Sequence, residues 1–350
     1  MSDIPDEMLA GVMTRVREIR FERRPVPAPG PGEVLVKIRE VGVCGSDVHW
    51  YADGRLGGAV VTEPLVLGHE ASGIVVQVGP GVDGLSAGDP VCLEPGVPCG
   101  RCAYCRSGRY NICRSLRFLG TPRGGTVHGA FREYMAHPAA YTFKLPDKVD
   151  LESGALVEPF SIGIHACRQA GVALGQRVLI YGAGPIGLVT LITARAAGAG
   201  EVWVTDPRED RLGMARALGA THAIPSSAEL PSASFDTVLE CAGAPAALRD
   251  CPRTVAPGGT ITMVGTFLDI DFPVDLITVM LKEVRLTTVW RYVNTYPTAL
   301  NLLATGQVDL HPLITHRFPF SQLPEAMEFA REGHPGTIKV MVDFKAQAED

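Results

Sequence analysis

The residues from Gly32 to Val43, GEVLVKIREVGV, and from Ala71 to Val82, ASGIVVQVGPGV, alternate or run apolar over strand lengths. Between such runs stand PAPGPG, GPGVDG and SAGDP, which supply turn chemistry. The first part of the chain therefore predicts an all-β fold of short strands. From about Pro159 the rhythm changes. RVLIYG reads as a buried strand, PIGLVTLITARAAGA as a helix, EVWVTD as a strand and EDRLGMARALGA as a helix. FDTVLECAG and GTITMVG predict two more strands, with PAALRDCPRTV a helix between them. Strands alternating with helices make βαβ units on a parallel sheet. Near Pro297 the pattern shifts to two helix-like segments and a closing strand, TIKVMVDF, which suits a return to the first domain. The expected class is α/β: a β-rich domain over 1–157 that regains 297–350, and a doubly wound parallel-sheet domain over 158–296. There is no internal repeat.

A chain of 350 residues exceeds one ordinary core and fits two domains. Apolar residues make up 46 % and charged residues 20 %, a globular balance, so the chain is not a disordered one. Net charge is −6 with both signs interspersed, and no basic stripe offers itself to nucleic acid. The start, MSDIPDEMLAG, has no basic segment followed by an apolar run, so no signal peptide is expected. Val178–Ala194 is uncharged, yet it holds three glycines and a proline and falls short of the ~20 apolar residues of a membrane span. A cytoplasmic location is the expectation, with the nine cysteines reduced.

Gly182, Gly184 and Gly187 form GxGxxG directly after a strand and at the start of a helix, and a second strand ends at Asp206, nineteen residues past Gly187. Alone the motif is weak; in this context it marks a dinucleotide site. The glycines admit a pyrophosphate to the helix N-terminus, where free N–H groups and the helix dipole favour anions. Asp206 would accept from the ribose hydroxyls and repel a 2′-phosphate, which selects NAD. Arg208 and Arg211 pull the other way, since an arginine also holds a 2′-phosphate.

Five of the nine cysteines fall between Cys92 and Cys113. Cys99, Cys102, Cys105 and Cys113 are spaced C-x2-C-x2-C-x7-C, and four thiolates fill the tetrahedral shell of Zn2+, leaving no place for substrate. That is a structural zinc site. A disulfide reading needs an oxidising compartment, and four unrelated buried thiols would not explain the spacing. Cys44, His69 and Glu70 lie among glycines in another stretch. A mixed thiolate, imidazole and carboxylate set can leave one position open, as catalytic zinc requires. Each of the three has a bland alternative (a buried Cys, a core His, a surface Glu), and their company decides against it.

CGSDVH followed by GHEASG, the four-cysteine loop, the glycine fingerprint and HRFPF resemble the zinc-dependent medium-chain dehydrogenases. Within that superfamily GALVEPFSIGIHAC and RYVNTYP resemble the polyol branch, the sorbitol and xylitol dehydrogenases. The resemblance runs over nearly the whole chain. It implies a GroES-like catalytic domain interrupted by a Rossmann domain, with the active site in the cleft between them. It implies Cys44, His69 and Glu70 as ligands of a catalytic zinc and Asp47 as the partner orienting His69. Glu158, where alcohol dehydrogenases carry a cysteine, would approach the metal through a water and be able to exchange. Ile186, Arg211, Val264, Gly265, Thr266 and Trp290 are implied on the cofactor. Ser46, Trp50, Phe118, Thr121, Glu158, Arg291 and Tyr292 are implied on the substrate. Trp50, with Tyr51 after it, departs from the tyrosine usual at that place and would alter the polyol length that fits.

The expected reaction is oxidation of a sorbitol- or xylitol-type polyol to its 2-ketose with NAD and two zinc ions per chain, one catalytic and one structural. Zn2+ would lower the pKa of the substrate hydroxyl, and hydride would pass to C4 of the nicotinamide. By resemblance, Ser46 would take the proton and pass it through a ribose hydroxyl to His49. His49 could instead be an ordinary half-buried histidine, and Arg291 a plain ion-pair partner. The rivals are a same-family enzyme for a simple alcohol, a vicinal diol or threonine, and a dinucleotide-binding protein without catalysis. A small-molecule polyol or ketose is the expected partner, without nucleic acid or membrane, and the branch implies a homotetramer.

Overall fold

The computed structural model describes residues 4–267 and 271–344. Two compact units emerge, one of Met1–Glu158 with Tyr296–Asp350 and the other of Pro159–Thr295.

The first unit is built on a seven-stranded sheet. Its main path runs Thr142–Lys144, Pro90–Leu93, Glu70–Val78, Glu33–Gly42, Lys339–Asp343, Ile314–Pro319, and Tyr134–Pro138 also pairs with Glu33–Gly42. A three-stranded sheet of Glu18–Pro25, Glu7–Arg15 and Leu65–Val66 accompanies it. Val34, Val36, Ile38, Val41, Val75, Val91, Val340 and Val342 are fully or almost fully buried in one apolar cluster. The strand that closes the chain thus sits beside the strand that opens the sheet, Met341 opposite Gly42 and Val342 opposite Val41. On its other edge Gly42 lies opposite Glu70. A side chain at Gly42 would collide with the Glu70 carboxylate, so glycine there is what lets that carboxylate fold back over the sheet.

The all-β expectation for this part needs two corrections. Gly45–Asp53 is a helix, and a 20-residue helix, Leu151–Ala170, begins ahead of Pro159 and carries it in its interior. The proline has no N–H to give, but a long apolar helix tolerates one missing bond when tertiary packing supplies most of its stability. A strand at Ile314–Pro319 also joins the two expected C-terminal helices, Tyr296–Ala304 and Leu323–Glu332.

The second unit is a six-stranded parallel sheet in the order His222–Ile224, Glu201–Thr205, Arg177–Tyr181, Phe235–Glu240, Val255–Met263, Arg285–Thr288. The chain starts near the middle, builds one way and then the other, so the order reverses between Arg177–Tyr181 and Phe235–Glu240. Helix Pro185–Ala196 is buried from Gly187 to Ala194 on every side. Thr190 and Thr193 donate to the Ile186 and Val189 carbonyls at 2.7 Å each, so their hydroxyls bury without cost. No helix among the described residues is long and apolar enough to cross a membrane.

Candidate active site

Cys99, Cys102, Cys105 and Cys113 converge. Their sulfurs stand 3.4 Å apart for Cys102–Cys105, 3.9 Å for Cys102–Cys113 and 4.0 Å for Cys99–Cys105. A tetrahedral zinc with Zn–S near 2.3 Å requires about 3.8 Å between sulfurs, so the set fits that ion closely. The charge chemistry points the same way. The backbone N–H of Cys105 leads the groups that hold the Cys102 thiol down to about 6. Burial and then the neighbouring thiols push Cys105 up to about 12. Four thiolates cannot share this space without a cation.

Cys44, His69 and Glu70 form a second cluster, their ligand atoms within 4.8 Å of one another. Cys44 caps the N-terminus of helix Gly45–Asp53 in extended conformation. Asp47, wholly buried, ties the pieces: its Oδ2 accepts from the Cys44 N–H at 3.1 Å and its Oδ1 from the Gly68 N–H at 3.0 Å. His69 Nδ1 lies 3.4 Å from Asp47 Oδ1 and makes no hydrogen bond among the described residues, so that contact is electrostatic. Burial opposes a charged imidazole, yet the charges of Asp47 and then Cys44 outweigh it and raise His69 well above the usual histidine range. A site that draws a proton onto a buried histidine is a site built for a cation.

Lys339 was not anticipated. Buried at 4 % exposure, it sets its Nζ 2.7 and 2.8 Å from the two oxygens of Glu70, itself 1 % exposed, and 3.1 Å from the Val43 carbonyl. Burial works against its charge, but Glu70, Cys44 and Glu158 hold its pKa above the ordinary lysine value. Glu70 therefore has a cation partner before any metal arrives. The signal in the sequence was a lone lysine within TIKVMV, since a lysine between apolar strand residues must be paired when buried.

Glu158 is buried on helix Leu151–Ala170 and outside the three-residue cluster, near enough for its charge to act on Lys339 and Glu94. Glu94, also unanticipated, accepts from Tyr110 Oη at 2.8 Å, and burial, with the charge of Glu158, pushes it up to about 7. Phe118 packs its ring 5.3 Å from that of His69, and Thr121 Oγ1 donates to the Phe118 carbonyl at 3.0 Å. Ser46 and His49 share one face of helix Gly45–Asp53, three residues apart. His49 Nδ1 is 3.4 Å from Asp53. Trp50 belongs to the apolar core instead of an open wall, and its indole N–H has no partner among the described residues.

In the second unit, Gly182 takes φ +95° with room for no side chain, because Ala242 stands 3.0 Å from where a Cβ would be. A Cβ on Gly187 would strike the Gly182 carbonyl. Gly184 precedes helix Pro185–Ala196, whose N-terminus has no side-chain cap. Asp206 accepts from the Ala183 N–H at 2.8 Å and from the Arg208 N–H at 2.9 Å. Arg208 is committed to Asp210, whereas Arg211 has a buried Nε without a partner among the described residues, its Nη1 3.8 Å from Asp206 and 3.8 Å from a Cβ at Gly184. An orphaned donor beside an uncapped helix start fits an anionic ligand. Ile186, Val264, Gly265 and Thr266 lie at this same edge of the sheet, following strands Arg177–Tyr181 and Val255–Met263. Trp290, Arg291 and Tyr292 follow the last strand; the Arg291 guanidinium sits 5.2 Å from the Trp290 ring, and Arg291 holds φ +55°.

A parallel sheet with a glycine-rich turn, together with a buried thiolate–imidazole–carboxylate cluster, defines a zinc-binding dehydrogenase. Residues 30–147 match the alcohol dehydrogenase GroES-like domain and residues 185–305 the zinc-binding dehydrogenase domain. The chain is similar to the sorbitol dehydrogenase of Gallus gallus, 43 % identical over 95 % of this chain and 96 % of that one. It is similar to the sorbitol dehydrogenase of Bacillus subtilis (strain 168), 40 % identical over 97 % and 98 %. Its fold matches the L-idonate 5-dehydrogenase of Escherichia coli str. K-12 substr. MG1655 with a TM-score of 0.90, at 29 % identity over 97 % and 98 %. The chain belongs to the zinc-dependent medium-chain dehydrogenases, and within them to the polyol dehydrogenases.

Proposed function

We propose that this polyol dehydrogenase uses NAD and two zinc ions per chain to oxidise a sorbitol- or xylitol-type polyol to its 2-ketose. The observation that carries the reading is the buried Cys44–His69–Glu70 cluster, with Asp47 beside the first two and Lys339 on the third. Zinc supplies Lewis acidity that makes a hydroxyl acidic near neutral pH, and nicotinamide supplies the hydride acceptor. Cys44, His69 and Glu70 would hold the catalytic ion, and Cys99, Cys102, Cys105 and Cys113 the structural one. Ser46 would receive the hydroxyl proton, and His49, half-exposed on the same helix face, would release it to solvent. Phe118, its ring 5.3 Å from that of His69, would cover the His69 side of the site. Asp206 would accept from the ribose hydroxyls and exclude a 2′-phosphate, and Arg208 is too occupied with Asp210 to welcome one. Arg291 and Tyr292 would hold the polyol's further hydroxyls; a site built to pair them penalises a substrate that lacks them.

We also propose that the chain assembles as a homotetramer. Helix Leu276–Leu281 exposes Leu276, Ile277, Met280 and Leu281 at 59–75 %. The neighbouring strand, Arg285–Thr288, is the last in its sheet and has no partner on its outer side among the described residues. Apolar surface beside an open strand edge suits a second copy of the chain at one interface, and the number four rests on the resemblance to the polyol branch.

The test is kcat/KM across sorbitol, xylitol, 2,3-butanediol, threonine and a simple secondary alcohol, each with NAD and NADP, alongside metal analysis. The polyols with NAD should lead. In Arg291→Ala the polyols should lose at least ~100-fold, about 3 kcal/mol for a lost charged donor, and the simple alcohol much less. Preference for the diol, threonine or simple alcohol would overturn the substrate reading.

A further inference from the structure

In an open parallel sheet a ligand binds outside the carboxyl ends of the strands, where the strand order reverses. Here that point lies between Arg177–Tyr181, which leads into the glycine turn, and Phe235–Glu240. Glu240 is the last residue of the second strand, fully buried at 0 % exposure. An acid in that place needs a reason, because a buried carboxyl costs stability unless it is hydrogen-bonded.

Three loops meet around it. Glu240 Oε1 accepts from the N–H of Ala242 at 2.9 Å and of Ala244 at 3.4 Å, both on the loop that follows its own strand. The Glu240 backbone carbonyl, whatever the side chain, accepts from the N–H of Val264 and Gly265 at 2.8 and 2.9 Å, on the loop after the next strand. The loops also interlock by backbone contact. Ala242 lies against Gly182 of the glycine turn. Gly243, at φ +66°, has Thr266 where its side chain would go, and a side chain on Gly265 would run into Gly243, with Glu240 Oε2 at 2.8 Å. Oε2 is buried and has no hydrogen-bond partner among the described residues. One residue, through its carboxyl and its backbone carbonyl, thus underlies the edge where the second half of a dinucleotide must lie, since Asp206 marks the adenosine half on the opposite side of the reversal.

We propose that Glu240 is the positioning residue of the nicotinamide half of the cofactor crevice, its carboxyl fixing the 241–244 loop, against which the 264–266 loop packs. This rests on the nicotinamide-dinucleotide reading above. Burial raises the acid to about 7 against the pull of the backbone N–H groups, so a large share of it is neutral at physiological pH. Its work is therefore hydrogen-bond acceptance, which an amide of the same shape reproduces.

Calorimetric titration of the zinc-loaded protein with NAD+ and with AMP tests this without turnover. Glu240→Ala should weaken NAD+ at least tenfold, about 1.4 kcal/mol, and leave AMP within twofold. Glu240→Gln should keep NAD+ within threefold of the unmodified protein. If the alanine variant does not fold, Glu240→Asp, with the carboxyl one methylene short, should show the same split. Unchanged NAD+ affinity, an equal loss for AMP, or a glutamine variant as weak as the alanine variant would overturn the proposal. An unmodified protein that binds no NAD+ would instead sink the cofactor reading on which it rests.

Discussion

Replacing Lys339 with methionine keeps an unbranched side chain of similar length in the strand and removes the cation from Glu70. Both oxygens of that carboxylate are within 2.8 Å of Nζ, and the two side chains are 4 % and 1 % exposed. Water does not reach the stranded charge. Breaking a buried pair from one side costs about 3–5 kcal/mol. For a folding unit of this size, each kcal/mol shifts Tm by about 2–4 °C, so zinc-stripped protein should melt roughly 6–20 °C lower. With zinc bound the carboxylate has a second cation to meet, and the loss should be less than half as large. Because the two states are linked through binding, a difference of about 2.8 kcal/mol means zinc held about 100-fold more tightly by the variant. Scanning calorimetry of variant and unmodified protein, each stripped and loaded, measures all four corners, and the four-cysteine site cancels in the comparison. Equal losses with and without zinc would show that Glu70 serves Lys339 alone and never the metal. A loss below about 1 kcal/mol in the stripped protein would show that the pair is not paired as described.

Cys102→Ser should halve the bound zinc and lower thermal stability while fresh protein keeps part of its activity; one zinc per chain in the unmodified protein would refute it. Asp206→Ala should weaken NAD by about 1–3 kcal/mol and raise the NADP/NAD ratio of kcat/KM, and an unchanged ratio would give the preference to Arg211. His311 offers a pH test. It sits 2.7 Å from Asp150 and 2.9 Å from Asp309, and the hydrogen bond that its ring donates to Asp150 leads the groups that raise its pKa above 6.5. Its folded pKa exceeds its unfolded one, so its stabilisation is complete below about 6.5 and disappears as pH rises through the higher folded value. The ring is about half exposed, which keeps the effect to a fraction of a kcal/mol; His311→Asn should flatten that part of the Tm–pH curve, and an unaltered slope would refute the assignment.

The four inner strands of the parallel-sheet unit were legible because both of their faces are covered, whereas the short, largely exposed edge strands His222–Ile224 and Arg285–Thr288 were not. Continuous apolar runs such as VLIY, bounded by glycine, leave few alternatives. The β-rich unit was less so. Helix Gly45–Asp53 is nine residues long with three buried, too short for a periodic stripe. Leu151–Ala170 was obscured by Pro159, which in isolation reads as a stop, while its apolar packing carries the helix through. Ile314–Pro319 hid as a strand because its burial does not alternate and a proline ends it.

The site was legible wherever one short segment holds all its partners. The four thiols lie within fifteen residues, and the glycine turn within six, so spacing alone states the geometry. Lys339, as the partner of Glu70, and Glu240 belong to the opposite case. The Glu70–Lys339 pair spans 269 positions of sequence and exists only because the closing strand lies beside Glu33–Gly42, whose other neighbour carries Glu70. Glu240 serves backbone N–H groups on its own loop and on one more than twenty residues away, and backbone groups leave no signature in a sequence. What remains readable is the exception itself: a charge between apolar strand residues, lysine in TIKVMV or glutamate at the end of FDTVLE, must find a partner inside. In both strands that charge sits next to the chemistry, at the metal cluster in one unit and at the reversal of the strand order in the other. Buried charges in this chain are therefore better guides to function than its exposed ones, whose ion pairs, such as Arg15–Glu18 or Arg216–Glu209, join neighbours on the surface and contribute little.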